Sequence, residues 1–362
     1  MRRGSDANRL FEFVERREFT LKKVLVTGAN GHLGSTLVKA LLLRGYSVRG
    51  SVRNPEEVMR RRIFDGMDVE VVQAELSDAV AMKAAAFGVD GVFHTAGTYK
   101  HWARDPQEEI IEPTLSGVRN ALAAAKEAHV ARFVYTSSVV AVGLEGSQAA
   151  PLDESHWPEN SRSPYMTAKA LAEREAWRLA QKMGIDLVSI CPGGIIGPNF
   201  SRHTPTTALF EDILERRVPG ILPMSLDYVD VRDVAEAHIL AYERREASGR
   251  YLCTNAPMTF GQVVEMVALL RENLSIRRTL IPRFILPFVA ALDSLQQRVK
   301  GGQRRLMRAM IADYFQPNQL RHFDTRRIRT ELGWQPRPLE TSIRDTLEWI
   351  DQRASTRGDY RG

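Results

Sequence analysis

Cysteine is nearly absent: Cys191 and Cys253 are the only two among 362 residues. Two thiols cannot build the multi-bridge framework of a small secreted fold, and neither lies in a metal-ligand spacing. Both sit in apolar, strand-like stretches, which reads as buried free thiols in a reducing, cytoplasmic setting. Long apolar runs are missing too. The longest, Phe284-Ile285-Leu286-Pro287-Phe288-Val289-Ala290-Ala291-Leu292, falls far short of the roughly 20 residues of a spanning helix, so no transmembrane segment is expected. A buried helix, a lid over an apolar substrate, an interface and a membrane-surface contact are all open readings for it. No apolar core follows Met1-Arg2-Arg3, so no secretory leader is expected. Isolated histidines such as His94, His101 and His238 form no ligand pattern, and no metal is expected.

The chain carries a formal charge of +6. Much of the basic excess lies toward its ends, at Arg2, Arg3, Arg16 and Arg17 and again at Arg277, Arg278, Arg304, Arg305, Arg326, Arg327 and Arg329. Aromatic residues do not alternate with these arginines as a base-stacking platform requires, so they read as solvated surface and no nucleic-acid partner is expected. Hydrophobic residues make up 44% of the chain, enough for a full core.

Apolar runs at 23–27, 48–52, 69–72, 91–95, 133–136 and 187–191 read as strands. Helical spacing over 33–44, 79–87, 107–128 and 164–183 separates most of them. Strand, helix, strand repeated in this way predicts an α/β fold, a doubly wound parallel Rossmann sheet covered on both faces. After Cys191 the texture changes. Pro192-Gly193-Gly194, Gly197-Pro198 and Pro205 are loop signals, 206–216 looks helical, 228–231 returns to strand, and 231–244 is helical. The expected division is a charged extension over 1–20, a nucleotide-binding domain over 21–191 and 226–255, a smaller, mostly helical substrate lobe over 192–225 and 256–350, and a tail over 351–362.

The first strand runs into Thr27-Gly28-Ala29-Asn30-Gly31-His32-Leu33-Gly34. Gly28 permits a tight turn, Gly31 lets backbone approach a pyrophosphate, and Gly34 lets the following helix pack close. An NAD site usually places Asp or Glu near the end of the second strand, on the ribose hydroxyls. Here that stretch is Val48-Arg49-Gly50-Ser51-Val52-Arg53-Asn54, with no acid. Arg53, with Arg60 a short helix further on, suits a 2′-phosphate, so NADP(H) is the expected cofactor. A plain surface arginine is the alternative for Arg53. Glu75 and Leu76, after the third strand, are expected to border the adenine.

Tyr165 and Lys169 are four apart on a predicted helix and share a face. A free phenol, with a pKa of about 10, is a sluggish proton donor near neutrality. A neighbouring ammonium favours the phenolate and lowers that value. Ser138, at the carboxyl end of the fifth strand, is placed to hydrogen-bond a substrate oxygen, with Ser137 one residue away as the alternative. Ser138, Tyr165 and Lys169 are therefore the expected catalytic residues. The chemistry they suit is hydride transfer to a carbonyl carbon with protonation of its oxygen.

These residues resemble the extended short-chain dehydrogenase/reductase superfamily, and within it the dihydroflavonol reductase and cinnamoyl-CoA reductase group. The resemblance rests on 41–55, in whose counterpart the later arginine meets the NADP phosphate. It rests also on Val92-Phe93-His94-Thr95-Ala96-Gly97, Asp153-Glu154-Ser155-His156-Trp157, Tyr228-Val229-Asp230-Val231-Arg232-Asp233-Val234-Ala235 and Ser248-Gly249-Arg250-Tyr251-Leu252-Cys253. It implies that Gly28, Asn30, Gly31, His32, Leu33, Gly34, Arg53, Arg60, Glu75, Leu76, Thr95, Ala96, Gly97, Tyr165, Lys169, Pro192, Gly194 and Ile195 border the cofactor. Tyr165 is preceded by Ser161-Arg162-Ser163-Pro164, which departs from the signature of cinnamoyl-CoA reductases. Around 99–104 and over 270–320 the chain looks closer to bacterial sugar epimerases and 3β-hydroxysteroid dehydrogenases.

The expected function is NADPH-dependent reduction of a ketone or aldehyde on a medium-sized, apolar or aromatic small molecule. The alternatives are a nucleotide-sugar epimerase or dehydratase, a 3β-hydroxysteroid-type dehydrogenase and a protein that binds NADP without chemistry. A monomer or homodimer is expected, the latter pairing helices 107–128 and 164–183.

Overall fold

A computed structural model describes residues 22–97, 103–158, 161, 163–272, 274, 277–288, 290–291, 314–315 and 320–358. The expected extension over 1–20 lies outside them, as do His101, Val289 and Leu292. Seven strands form one parallel sheet: β1 Lys23–Thr27, β2 Ser47–Val52, β3 Val69–Gln73, β4 Gly91–His94, β5 Arg132–Thr136, β6 Leu187–Pro192 and β9 Gly249–Cys253, in the order β3-β2-β1-β4-β5-β6-β9. Strand order reverses between β1 and β4, which opens a crevice at their carboxyl ends where such folds take ligands.

The interior strands β1 and β4 to β6 are buried on both faces, as crossover helices on either side require. Helices α1 His32–Leu43 and α7 Val231–Glu243 cover one face, where Leu37, Val38 and Leu41 pack with Val26, Val234 and Ile239. Helices α3 Ala79–Ala86, α4 Glu112–Glu127 and α5 Pro164–Met183 cover the other, through Met82, Leu122 and Ala176. A short α2, Pro55–Arg60, follows β2.

A second, three-stranded sheet lies beyond β6. It joins β7 Gly194–Ile196, β8 Ser225–Asp230 and β10 Ala256–Thr259 in the order β10-β8-β7. Helices α6 Pro205–Leu214, α8 Phe260–Leu270 and α10 Leu339–Gly358 pack with it around Phe200, Phe210, Tyr228, Val263 and Leu347. Helix α9 Arg326–Leu332 instead sends Ile328 and Leu332, with Trp334 after it, into the core beneath α7.

The strand-like stretch around Cys253 is a full seventh strand, 249–253, beside β6. Two features were not legible in the sequence. Ala256–Thr259 is a strand despite Pro257, which is tolerated because β10 is an edge. The helical pattern over 107–128 begins as a π-helical turn, Gln107–Ile111, ahead of α4. Pro113 sits just after that turn and lacks the N–H that a regular α-helical bond to Glu109 would use.

Candidate active site

The loop between β1 and α1 is held by fit rather than by side chains. Gly28 has φ +64°, and a Cβ there would lie 2.9 Å from Ala96 Cα. At Gly34 a Cβ would lie 2.2 Å from the Gly28 carbonyl oxygen. Only glycine permits both approaches. Helix α1 starts at Gly31 with no capping side chain and no acid in its first turn. Its leading N–H groups therefore face the crevice without a competing carboxylate, which suits an anion. His32 is buried, and burial lowers its pKa to about 4, so the ring is neutral. Its Nε2 donates to the Pro198 carbonyl at 2.9 Å, pinning the loop after β7 over the helix start.

The end of β4 is tied to β1 in the same region. Thr95 Oγ1 donates to the Thr27 carbonyl at 2.7 Å, and the Ala96 N–H donates to Thr27 Oγ1 at 3.2 Å. A cavity of about 300 Å³ lies over these turns. From the glycine loop Gly28, Gly31, His32, Leu33 and Gly34 line it, and from the β4 end Thr95 and Gly97. Pro192, Gly194 and Ile195 form the wall after β6. Asn30 and Ala96 are not on the wall; the Asn30 carbonyl accepts from Ser201 Oγ at 3.3 Å.

Ser138, Tyr165 and Lys169 all line this cavity. Tyr165 stands in the first turn of α5, after Ser163 as N-cap and Pro164, which is well suited to an opening turn. Lys169 follows one turn later, its Nζ donating to the Thr136 carbonyl at 3.4 Å. Burial pulls the Lys169 pKa down to about 8, against the opposing pull of Glu173. The two serines divide. Ser137 Oγ donates to Glu173 Oε2 at 2.6 Å and so faces the core. Ser138 Oγ has only a 3.5 Å contact to the Pro192 carbonyl and a 3.4 Å one from the Val140 N–H.

Glu173, fully buried one turn beyond Lys169, was not singled out from the sequence, although the spacing Tyr165, Lys169, Glu173 repeats at four residues along α5. Arg250 of β9 reaches it with two bonds, Nε to Oε1 at 2.9 Å and Nη2 to Oε2 at 3.0 Å. The rest of the guanidinium donates to the carbonyls of Ala141, Glu154 and His156. Burial raises the pKa of the neighbouring Cys191 thiol, and the Glu173 charge adds to this. Cys191 and Cys253 are both free and buried.

Beyond the cavity, Arg53 is exposed after β2 and Arg60 is exposed at the end of α2; neither guanidinium is hydrogen-bonded or ion-paired to a described residue, while the Arg53 carbonyl accepts from Gln73 Nε2 at 3.2 Å. Their neighbours are engaged: Arg61 pairs with Glu57 at 2.6 Å, Arg62 pairs with Asp65, and Asn54 caps α2. Glu75 is exposed after β3, and the Leu76 carbonyl accepts from Asn120 Nδ2 at 2.7 Å. These four lie away from the cavity wall, on the β2 and β3 side of the crevice.

At the opposite end the wall holds residues with no sequence signal of their own: Leu226, Asp227, Tyr314, Arg321 and Phe323. Asp227 Oδ1 is buried without a hydrogen-bond partner, and burial raises the carboxyl pKa to about 7. The apolar segment noted in the sequence joins this end, with Leu286 and Ala290 packing with Val140, Tyr165, Met166 and Tyr314. Among the described residues no cluster of three or more acidic, histidine or cysteine side chains could hold a metal.

Residues 24–253 match the model of the NAD dependent epimerase/dehydratase family. The chain is 39% identical over 260 residues to cinnamoyl-CoA reductase 1 of Arabidopsis thaliana, covering 68% of this chain and 74% of that protein. It is 35% identical to the bifunctional dihydroflavonol 4-reductase/flavanone 4-reductase of Malus domestica, over 68% of this chain and 75% of the relative. Its fold is similar to that of the yeast methylglyoxal/isovaleraldehyde reductase Gre2 complexed with NADPH, with a TM-score of 0.71 at 21% identity, covering 92% of this chain and 99% of that one.

Proposed function

The chain belongs to the NAD dependent epimerase/dehydratase family, within the extended short-chain dehydrogenases/reductases, and from that premise we propose that it reduces a ketone or aldehyde to an alcohol with NADPH. It is an NADP-dependent oxidoreductase acting on carbonyl groups. The proposed substrate is a medium-sized apolar or aromatic molecule. The observation that carries this reading is that Ser138, Tyr165 and Lys169 share one cavity with the glycine turn.

In this reading the cofactor's pyrophosphate rests on the uncapped start of α1, and Arg53 and Arg60 take the 2′-phosphate. Glu75 and Leu76 border the adenine, and Thr95, Ala96, Gly97, Pro192, Gly194 and Ile195 border the nicotinamide half. When bound, the nicotinamide supplies the hydride. Ser138 Oγ, not drawn into the core network as Ser137 is, orients the carbonyl oxygen. Tyr165 delivers its phenolic proton to that oxygen. The Lys169 ammonium favours the phenolate left behind. Apolar residues at the far end, including Val140, Leu144, Leu226 and Phe323, suit an apolar substrate body. The proposed substrate lobe takes in 192–225 and 256–350, of which α6, α8 and α10 pack in the second core while α9 packs in the first; β8, which the sequence grouped with the nucleotide half, pairs with β7 and β10.

The test follows loss of NADPH absorbance across a panel of carbonyl compounds. Tyr165→Phe should lower turnover by about 10²- to 10⁴-fold while NADPH affinity stays within a few fold. A near-normal rate in that variant would remove the mechanism. Conversion of a nucleotide sugar without net loss of NADPH would favour the epimerase alternative.

A further inference from the structure

The stretch 274–291 contains Arg277, Arg278 and Arg283 and not one Asp or Glu. It is fixed to the fold by backbone bonds: the Ile221 N–H donates to the Thr279 carbonyl at 2.8 Å, and the Ile281 N–H to the Ile221 carbonyl at 2.9 Å. After the 3₁₀ turn Arg283–Ile285 the segment has two unlike faces. Leu286 and Ala290 are buried against the Tyr165 cluster. On the outside, Phe284 is 73% exposed, Phe288 71%, Leu280 58% and Ile285 38%. A contiguous exposed apolar patch rimmed by polar residues marks a protein or membrane interaction site.

The charge around the patch points to the kind of partner. Arg277, Arg278 and Arg283 are exposed, and their guanidinium groups make no hydrogen bond or ion pair with a described residue. Arg216, in the turn leading to Ile221, is exposed as well. The acids of that neighbouring element, Glu211, Asp212 and Glu215, are all paired with Arg217. Glu272 is the nearest acid before the stretch in sequence. Two copies meeting through this face about a two-fold axis would set arginine against arginine. A face of phenylalanine and leucine rimmed by unpaired arginines instead matches an anionic lipid surface, with rings at the acyl boundary and guanidinium groups among the headgroups.

We propose that Leu280, Phe284, Ile285 and Phe288, rimmed by Arg277, Arg278 and Arg283, form a docking surface for an anionic bilayer. The inner side of the same segment is a wall of the Tyr165 cluster, so the docked face lies one side-chain layer from the cavity.

Co-sedimentation of the full chain with vesicles tests this. Vesicles of phosphatidylcholine with phosphatidylglycerol should bind the protein, and vesicles of phosphatidylcholine alone should bind it about tenfold or more weakly. Phe284→Ser with Phe288→Ser, and separately Arg277→Glu with Arg278→Glu, should each weaken binding to the mixed vesicles by about tenfold or more, with unchanged melting curves. The charge-reversal pair removes no apolar contact, so it serves as a second arm should the serine pair fold poorly. Absence of binding to mixed vesicles would overturn the proposal, as would binding that neither pair weakens. A dimer in sedimentation velocity that the serine pair dissociates would also overturn it, by assigning the face to a second copy.

Discussion

Replacing Lys169 by methionine should make the protein more stable while removing its activity. The ordinary lysine value is 10.5, and burial at the cavity wall brings Lys169 down to about 8. The unfolded chain therefore keeps this proton up to about pH 10.5, whereas the folded protein releases it near pH 8. Between those limits the unfolded state binds more protons, so this group makes stability rise with pH across the window. Below pH 8 the full cost of holding a charged amine at that wall is present. A depression of this size corresponds to at most about 3 kcal/mol, and partial access to the cavity reduces it. Methionine keeps the apolar stem and discards the charge. It also loses the long 3.4 Å bond to the Thr136 carbonyl, a minor contribution at that distance. Glu173 is not orphaned, because Arg250 holds both of its oxygens. Urea unfolding of Lys169→Met at pH 7 should show a higher midpoint at unchanged slope, and the gap should close as pH approaches 10.5. Carbonyl-dependent NADPH oxidation should be lost. A variant no more stable than the parent at pH 7, or a gap that persists at pH 10.5, would refute the reasoning.

Two further outcomes follow from single side chains. Arg53→Ala should weaken NADPH by about tenfold or more and leave NADH nearly unchanged, as titrated by cofactor fluorescence, because a charge-assisted phosphate contact is lost only from the former. Equal losses would make Arg53 a plain surface arginine. Asp227→Asn should raise stability above pH 7 by up to about 4 kcal/mol and leave it unchanged at the acid limit. The Asp227 carboxyl pKa rises from 3.8 to about 7, so the folded state binds more protons between those values and the native aspartate loses stability as pH climbs through them. Denaturation midpoints that run parallel for the two proteins from pH 4 to pH 8 would remove that account.

The nucleotide half was readable because its constraints are local. A run such as Lys23–Thr27, buried on both faces, followed by glycines at three-residue spacing and a periodic helix, has few other folded outcomes. Tyr165 and Lys169 were readable for the same reason, since four residues on a helix define a face. What was not readable depends on partners distant in the chain. Asp227 and Arg321 are unremarkable in sequence and meet only because the small sheet and the C-terminal region close over the cavity end. Arg250 reads as surface until a buried carboxylate, Glu173, is known to face it. The sequence favours Ser138 over Ser137 only by its place further past the strand end, whereas which of them turns inward depends on Glu173.

That dependence shows how the proposed trio is held. Helix α5 carries Tyr165, Lys169 and Glu173 at successive turns, so the side chain that faces a ligand is rigidly joined to one that faces the core. The buried Glu173–Arg250 pair connects this helix to β9, and the same guanidinium lies 3.8 Å from the Trp157 ring centre while bonding the carbonyls of Ala141, Glu154 and His156. A buried ion pair contributes little net stability compared with a well-packed apolar substitute of similar volume. Its effect here is geometric. It fixes the orientation of Ser137, leaves Ser138 to the cavity, and places an anion near Lys169 that opposes the loss of its proton. Geometry at the Tyr165 cavity therefore rests on β9, the strand at the far edge of the sheet.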